Sequence, residues 1–335
     1  MKRIIAIFTA VLLLAGCLSG CASGAGKPDS GKEGIRIVTT IFPEYDWVMN
    51  ILGDNPADAE VTLLLDSGVD LHSFQPTAAD IMKISTCDVF IYVGGESDEW
   101  VEDALQESVN SEMIVIDLLN ILGDAAKEEE VIEGMQGEDE NDEDGEDEEH
   151  EHDEDEVEYD EHVWLSLRNA AVFVGVISDA LQSADPANAD LYRTNAEAYI
   201  EMINALDDKY RAAVSEASFK TLLFGDRFPF RYLVDDYGLS YYAAFVGCSA
   251  ETEASFETIT FLSRKVDELS LPAVMTIEGT DHRIAETIVQ NAVKKDLRIL
   301  SMDSMQAVTA KDIENGVTYI SIMEKNLSVL KDALN

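Results

Sequence analysis

The sequence predicts an α/β protein of two βα lobes, each built on a parallel sheet, joined by one long rigid helix with a cleft between the lobes. Three observations carry this. The chain has 335 residues, 46% of them apolar, which is enough for two cores rather than one. Short β-branched runs alternate with helix-patterned segments both before residue 127 and after residue 220, the pattern of βαβ units. Between these halves lies a stretch of about 30 residues at helical spacing, which would reach about 45 Å.

In chain order, IRIVTTI (35–41) is the first strand and runs into Phe42-Pro43, after which YDWVMNIL has helical spacing. AEVTLLL (59–65), VFIYVGG (89–95) and MIVIDLL (113–119) are the next strands. TAADIMKIS (77–85) and DEWVEDALQES (98–108) place apolar residues at i, i+3 and i+4, as helices do. LRNAAVFVGVISDALQ (167–182) is another helix, ended by Asp185-Pro186. The linking helix is predicted over 187–216. The second half has strands TLLF (221–224), YYAAFV (241–246), PAVMTI (272–277) and LRILSM (297–302). FRYLVDDYG, SFETITFLSRKVDEL, RIAETIVQNAVK and the segment from Asp312 are its helices. The lobes are thus residues 35–186 and 217–335, and two facing sheets would direct the carboxyl ends of their strands at a shared cleft.

The amino terminus reads as a processing signal. Met1-Lys2-Arg3 is basic, and the apolar stretch from Ile4 to Gly16 is too short to span a bilayer. It ends in Leu-Ala-Gly-Cys at Cys17, and Leu-Ser-Gly-Cys at Cys21 offers an alternative. Residues 1–16 are then a lipoprotein signal peptide, and residues 17–34 a tether behind a lipid-modified Cys17 or Cys21. The two acyl chains of a diacylated cysteine would hold the protein at the extracytoplasmic face of a bacterial membrane. The two other cysteines, Cys87 and Cys248, do not make a disulfide framework and are given no role.

The formal net charge is −44, and 18 of the 24 residues from Glu138 to Glu161 are Asp or Glu. This charge argues against nucleic acid and anionic lipid as partners and in favour of cations. Residues 127–161 lack apolar periodicity and read as a disordered acidic, histidine-containing loop. His150 and His152 within it are candidates for auxiliary metal capture. His162 ends the block and opens VWLSLRNA, while His72 follows the strand 59–65 and precedes a helix. Both therefore stand at loop junctions where a ligand would bind, and imidazole is a common transition-metal ligand. Glu278 ends the strand 272–277 and points by position towards the cleft. His282 reads as a solvated residue at a helix start. No His-Glu-x-x-His, Gly-x-Ser-x-Gly or glycine-rich phosphate loop is present, so the chain is not read as an enzyme.

Over nearly the whole mature length, the chain resembles the substrate-binding lipoproteins of bacterial zinc and manganese ABC importers. The segments that carry the resemblance are IRIVTTIFPEYDWVMNILGD, GVDLHSFQPTAADI, DVFIYVGGESDEWVEDAL and DEHVWLSLRNA after an acidic loop. The resemblance implies His72 and His162 as the first two metal ligands. The third position falls in FGDRFPFRYLVDDYGL, where ungapped counting lands on the cationic Arg227 and the neighbouring Asp226 is chemically suitable; Arg227 would then pair with a cleft carboxylate. Asp303, ending LRILSMD, is implied as the fourth ligand, with Glu278 in reserve. Such a site suits Zn²⁺, with Mn²⁺ as the alternative, and offers no thiolate. The implied function is capture of zinc by a monomer and its delivery to an ABC transporter membrane permease; the alternatives are a manganese-binding component or a surface adhesin of the same fold.

Overall fold

The computed structural model describes residues 34–54, 58–137, 158–249 and 253–335. In the first lobe the strands are β1 (Arg36–Thr39), β2 (Glu60–Leu63), β3 (Val89–Tyr92) and β4 (Ile114–Asp117). Its helices are α1 (Phe42–Leu52), α2 (Ala78–Thr86), α3 (Trp100–Gln106), α4 (Leu118–Leu122) and α5 (Leu167–Ala184). The linking helix is α6 (Ala189–Glu216). The second lobe contains β5 (Thr221–Phe228), α7 (Arg231–Tyr237), β6 (Ser240–Val246), α8 (Phe256–Glu268), β7 (Ala273–Ile277), α9 (Arg283–Asn291), β8 (Arg298–Met302), α10 (Ala310–Glu314) and α11 (Tyr319–Ala333). Both sheets are parallel and repeat one topology, β2-β1-β3-β4 and β6-β5-β7-β8. The strand order reverses beside β1 and beside β5, and ligands of open α/β sheets bind beyond the carboxyl ends at such points.

Local chemistry explains the boundaries. Helix α1 starts one residue after Ile41, with Pro43 in its first turn, where a missing N–H costs nothing. The Glu44 carboxylate accepts from the backbone N–H groups of Thr40 (2.9 Å) and Ile41 (3.3 Å), and Gly53 ends the helix at φ +60°. Thr77 and Asp80 make a reciprocal cap at the start of α2. The expected C-terminal helix is divided into α10 and α11, because Gly316 takes a positive φ of 87° and Thr318 caps a new start.

Helix α6 begins two residues later than its predicted start, after a single turn of 3₁₀-helix at Pro186–Asn188. Tyr192, Ala196, Tyr199, Ile203, Leu206, Tyr210 and Val214 form its buried stripe. It bonds to both lobes: Tyr199 Oη donates to Asp46 Oδ2 (2.8 Å) in α1, and Tyr210 Oη donates to the Met323 carbonyl (2.6 Å) in α11. Trp47, Phe173 and Tyr319 meet where α1, α5 and α11 converge, with centroids 5.9 Å and 5.3 Å from the Trp47 ring. One apolar core runs through both lobes, and a smaller one lies under α8 and α9.

Two expectations need correction. Strand β5 continues four residues beyond TLLF, through Gly225, Asp226 and Arg227 to Phe228. A Gly-Asp-Arg sequence looks like a turn, but here each polar group is satisfied within the fold, and Gly225 lets the α9 backbone at Ala285 approach. The acidic block is also less disordered at its ends than expected. Glu128 pairs with Tyr159, the Glu129 N–H donates to the Glu158 carbonyl (2.9 Å), and the Asp160 N–H donates to the Lys127 carbonyl (2.8 Å). Met135 is buried, and the Gln136 N–H donates to the Ala244 carbonyl at 2.9 Å. These rungs and one inserted apolar side chain give residues 127–137 and 158–161 the anchorage that composition alone does not show. Cys17, Cys21, His150 and His152 lie outside the described residues.

Candidate metal centre

His72 occupies a single 3₁₀ turn, Leu71–Ser73, capped by Asp70, whose Oδ1 accepts from the His72 N–H at 3.1 Å. Its Nδ1 lies 2.7 Å from Ser97 Oγ and 3.3 Å from Glu161 Oε2. Glu161 is itself held by the Ser97 N–H, which donates to Oε1 at 2.7 Å. His162 is wholly buried. Asp160 Oδ1 accepts from its backbone N–H (2.9 Å) and faces its Nδ1 (3.1 Å). His162 thus turns Nδ1 to the Asp160 carboxylate, and His72 turns Nδ1 to the Ser97 hydroxyl beside Glu161; a proton held on Nδ1 in each ring would leave a lone pair on Nε2. The two Nε2 atoms face one another at 3.3 Å. Two converging lone pairs suit a shared cation.

Cys248 is the third member. It follows β6, and its ligand atom lies with those of His72 and His162 in one group whose atoms are all within 4.8 Å. Its backbone N–H donates to Glu129 Oε1 at 3.2 Å. Burial raises its thiol pKa, and Asp160, Glu161 and Glu129 raise it further. Coordination to a divalent cation would reverse this balance by stabilising the thiolate. The sequence reading offered no thiolate; the fold nonetheless brings the Cys248 sulfur within reach of both imidazoles. The available signal was position: Cys248 stands at the carboxyl end of a second-lobe strand, as the expected ligands do.

The second-lobe carboxylates are placed differently. Asp226 lies within β5; its Oδ2 accepts from Thr280 Oγ1 (2.9 Å) and the Ile277 N–H (3.3 Å), and burial raises its pKa. Glu278 accepts from the Ser304 hydroxyl and N–H, each at 2.7 Å, and from the Gln306 N–H at 3.3 Å. Asp303 Oδ1 accepts from the Met305 N–H at 2.9 Å. Among the described residues, no candidate metal group contains Asp226, Glu278 or Asp303. Arg227 pairs with Asp70 across the cleft, the kind of carboxylate partner expected for it. Burial pushes the Asp70 carboxyl up, but Arg227 and His72 outweigh this and hold it below its ordinary range. A cavity of about 500 Å³ opens beside His72, lined also by Asp226, Arg227, Thr280 and His282. His282 is half-buried, with Nδ1 3.3 Å from Thr280 Oγ1.

Two glycines make room for the histidine supports. A Cβ on Gly247 would lie 3.0 Å from the His162 ring, and one on Gly95, at φ +86°, would lie 2.4 Å from Glu161 Oε1. Gly95→Ala should therefore displace Glu161 and weaken metal binding by about 10- to 100-fold, the usual range for a lost ligand support. A competition titration that finds unchanged affinity would show that Glu161 does not set the His72 ring.

Paired parallel-sheet lobes and a histidine-lined cleft define a two-lobed α/β binding protein. A family model described as zinc-uptake complex component A periplasmic matches residues 37–333, and the chain belongs to that family. It is 31% identical over 310 residues to the zinc-binding lipoprotein AdcA of Streptococcus pneumoniae serotype 4, covering 91% of this chain and 56% of that protein. It is 30% identical over 324 residues to the high-affinity zinc uptake system protein ZnuA of Bacillus subtilis, covering 96% and 94%. The Zn(II)-bound ZnuA-like domain of S. pneumoniae AdcA superposes with a TM-score of 0.67 at 28% identity, covering 90% of this chain and 99% of that domain. The chain spans about half the length of the streptococcal AdcA proteins it matches.

Proposed function

We propose that this protein is the extracytoplasmic solute-binding component of an ABC importer, which captures zinc in its cleft and delivers it to a membrane permease. The observation that carries this reading is the meeting of His72 and His162, whose Nδ1 atoms turn to the Ser97 hydroxyl beside Glu161 and to Asp160 while their Nε2 atoms face one another at 3.3 Å. Family membership and the zinc-binding names of the relatives support it. Zinc is favoured over manganese because Mn²⁺ stands lowest in the Irving–Williams order and two imidazoles do not impose six-coordination. The protein acts as a monomer without chemistry of its own. Calorimetry of the metal-stripped protein with zinc and manganese in turn tests the reading; a manganese preference, or no binding of either, overturns it.

Asp226, Asp303 and Glu278 serve the second-lobe framework in this reading. Asp226→Asn should leave zinc affinity unchanged, and a loss comparable to that of a histidine variant would return Asp226 to the ligands. Lipid modification at Cys17 keeps the protein with the membrane. Cys17→Ser should release it or leave it unprocessed; if only Cys21→Ser does so, Cys21 is the anchor.

A further inference from the structure

We propose that Cys248 is a thiolate ligand of the bound metal and that the Gln306 side-chain amide completes the site, so that the cargo is a thiophilic cation, Zn²⁺ or Cd²⁺, and not Mn²⁺. This rests on the zinc-capture reading and specifies the donors and the class of metal.

Three independent observations point to it. First, the cluster of ligand atoms within 4.8 Å contains Cys248 beside the two imidazoles. Second, Gln306 is only 8% exposed, and its Oε1 is buried without a hydrogen-bond partner. A buried, unpartnered polar atom is costly, so this amide is not satisfied by the protein alone. Its Nε2 lies 3.2 Å from His162 Nε2 and 3.3 Å from Ser304 Oγ. A half-turn of the amide exchanges its oxygen and nitrogen and brings an acceptor to the mouth of the two histidines. Third, the turn that carries Gln306 is built to hold it. Met305 is in the left-handed region at φ +68°, Asp303 accepts from the Met305 N–H, and Glu278 accepts from the Gln306 N–H. Two of the carboxylates expected as ligands thus brace the turn from which the amide reaches.

Two imidazoles, a thiolate and an amide oxygen make a four-donor set of the kind tetrahedral Zn²⁺ accepts. Thiolate favours soft and borderline ions, whereas Mn²⁺ suits carboxylate, carbonyl and water donors. Arg227 cannot ligate and is held by Asp70.

The test uses the full chain, purified in detergent and kept reduced, with cobalt, zinc, cadmium and manganese as separate probes. Cobalt-loaded wild type should show a near-ultraviolet sulfur-to-metal charge-transfer band that persists in Cys87→Ser and disappears in Cys248→Ser. Cys248→Ser should also lose cadmium affinity more steeply than zinc affinity, with a zinc loss of about 100-fold or more, beyond the usual cost of a support residue. Gln306→Ala should weaken zinc binding by about tenfold. Wild type that binds zinc and cobalt tightly without the band refutes thiolate ligation and leaves zinc capture standing. Unchanged zinc affinity in Gln306→Ala removes the amide from the site. Wild type that binds no zinc defeats the zinc reading itself.

Discussion

His162→Ala is expected to lower zinc affinity by well over about 100-fold, more than the loss of any residue that only supports a ligand. His162 is wholly buried, its Nε2 faces both His72 and Gln306, and among the described residues His72 is the only other imidazole in the cluster. The substitution also leaves Asp160, itself buried, facing the space of the missing ring. His72→Ala should act in the same direction. A chromophoric chelator competing for zinc reads the loss directly, and affinity retained in either variant would remove that residue from the site.

The second large effect is expected at Trp164, two residues further along the chain and 1% exposed. Its indole N–H donates to the Ser304 carbonyl at 2.9 Å, its own carbonyl accepts from Tyr319 Oη at 2.8 Å, and its ring centroid is 5.2 Å from that of His162. Trp164→Ala removes a large core side chain and should cost about 3–5 kcal/mol in denaturant-induced unfolding of the metal-free protein. Trp164→Phe keeps most of the packing but leaves the Ser304 carbonyl without its donor, at a cost of about 1–3 kcal/mol. Zinc affinity should fall in both, since the ring abuts His162 and the hydrogen bond holds the turn before Gln306. Full stability in Trp164→Ala would mean that this ring does not tie the lobes together.

The architecture was legible because parallel strands are buried on both faces and appear as continuous β-branched runs such as RIVT and VFIY. The tyrosine-rich stripe of α6 was equally visible at helical spacing. His72 and His162 stood out because a histidine at the edge of an apolar run has few structural reasons to be there. The rest of the site was harder to see. Asp226 was favoured for its chemistry, and in the fold its carboxylate accepts from Thr280; which bonds a buried carboxylate makes is not visible in sequence. Cys248 carries no pattern beyond its place after a strand, and a single cysteine is more often buried and inert. Gln306 has no charge to mark it. Asp160 and Glu161 were absorbed into the acidic run, although each holds an imidazole, because counting charges does not distinguish the last two carboxylates from the others.

The bonded rungs at Glu128–Tyr159 and Glu129–Glu158 have a consequence for how such a sequence can change over generations. They bring the two ends of the acid-rich insertion together before it departs and as it returns, so its length is decoupled from the registration of His162. Closing a chain segment costs free energy only logarithmically in its length, about 0.6 kcal/mol per doubling. A change in the number of residues between these rungs therefore need not shift His162. Selection can lengthen, shorten or recompose that stretch, and with it the charge the protein presents to passing cations, while His162 keeps its place.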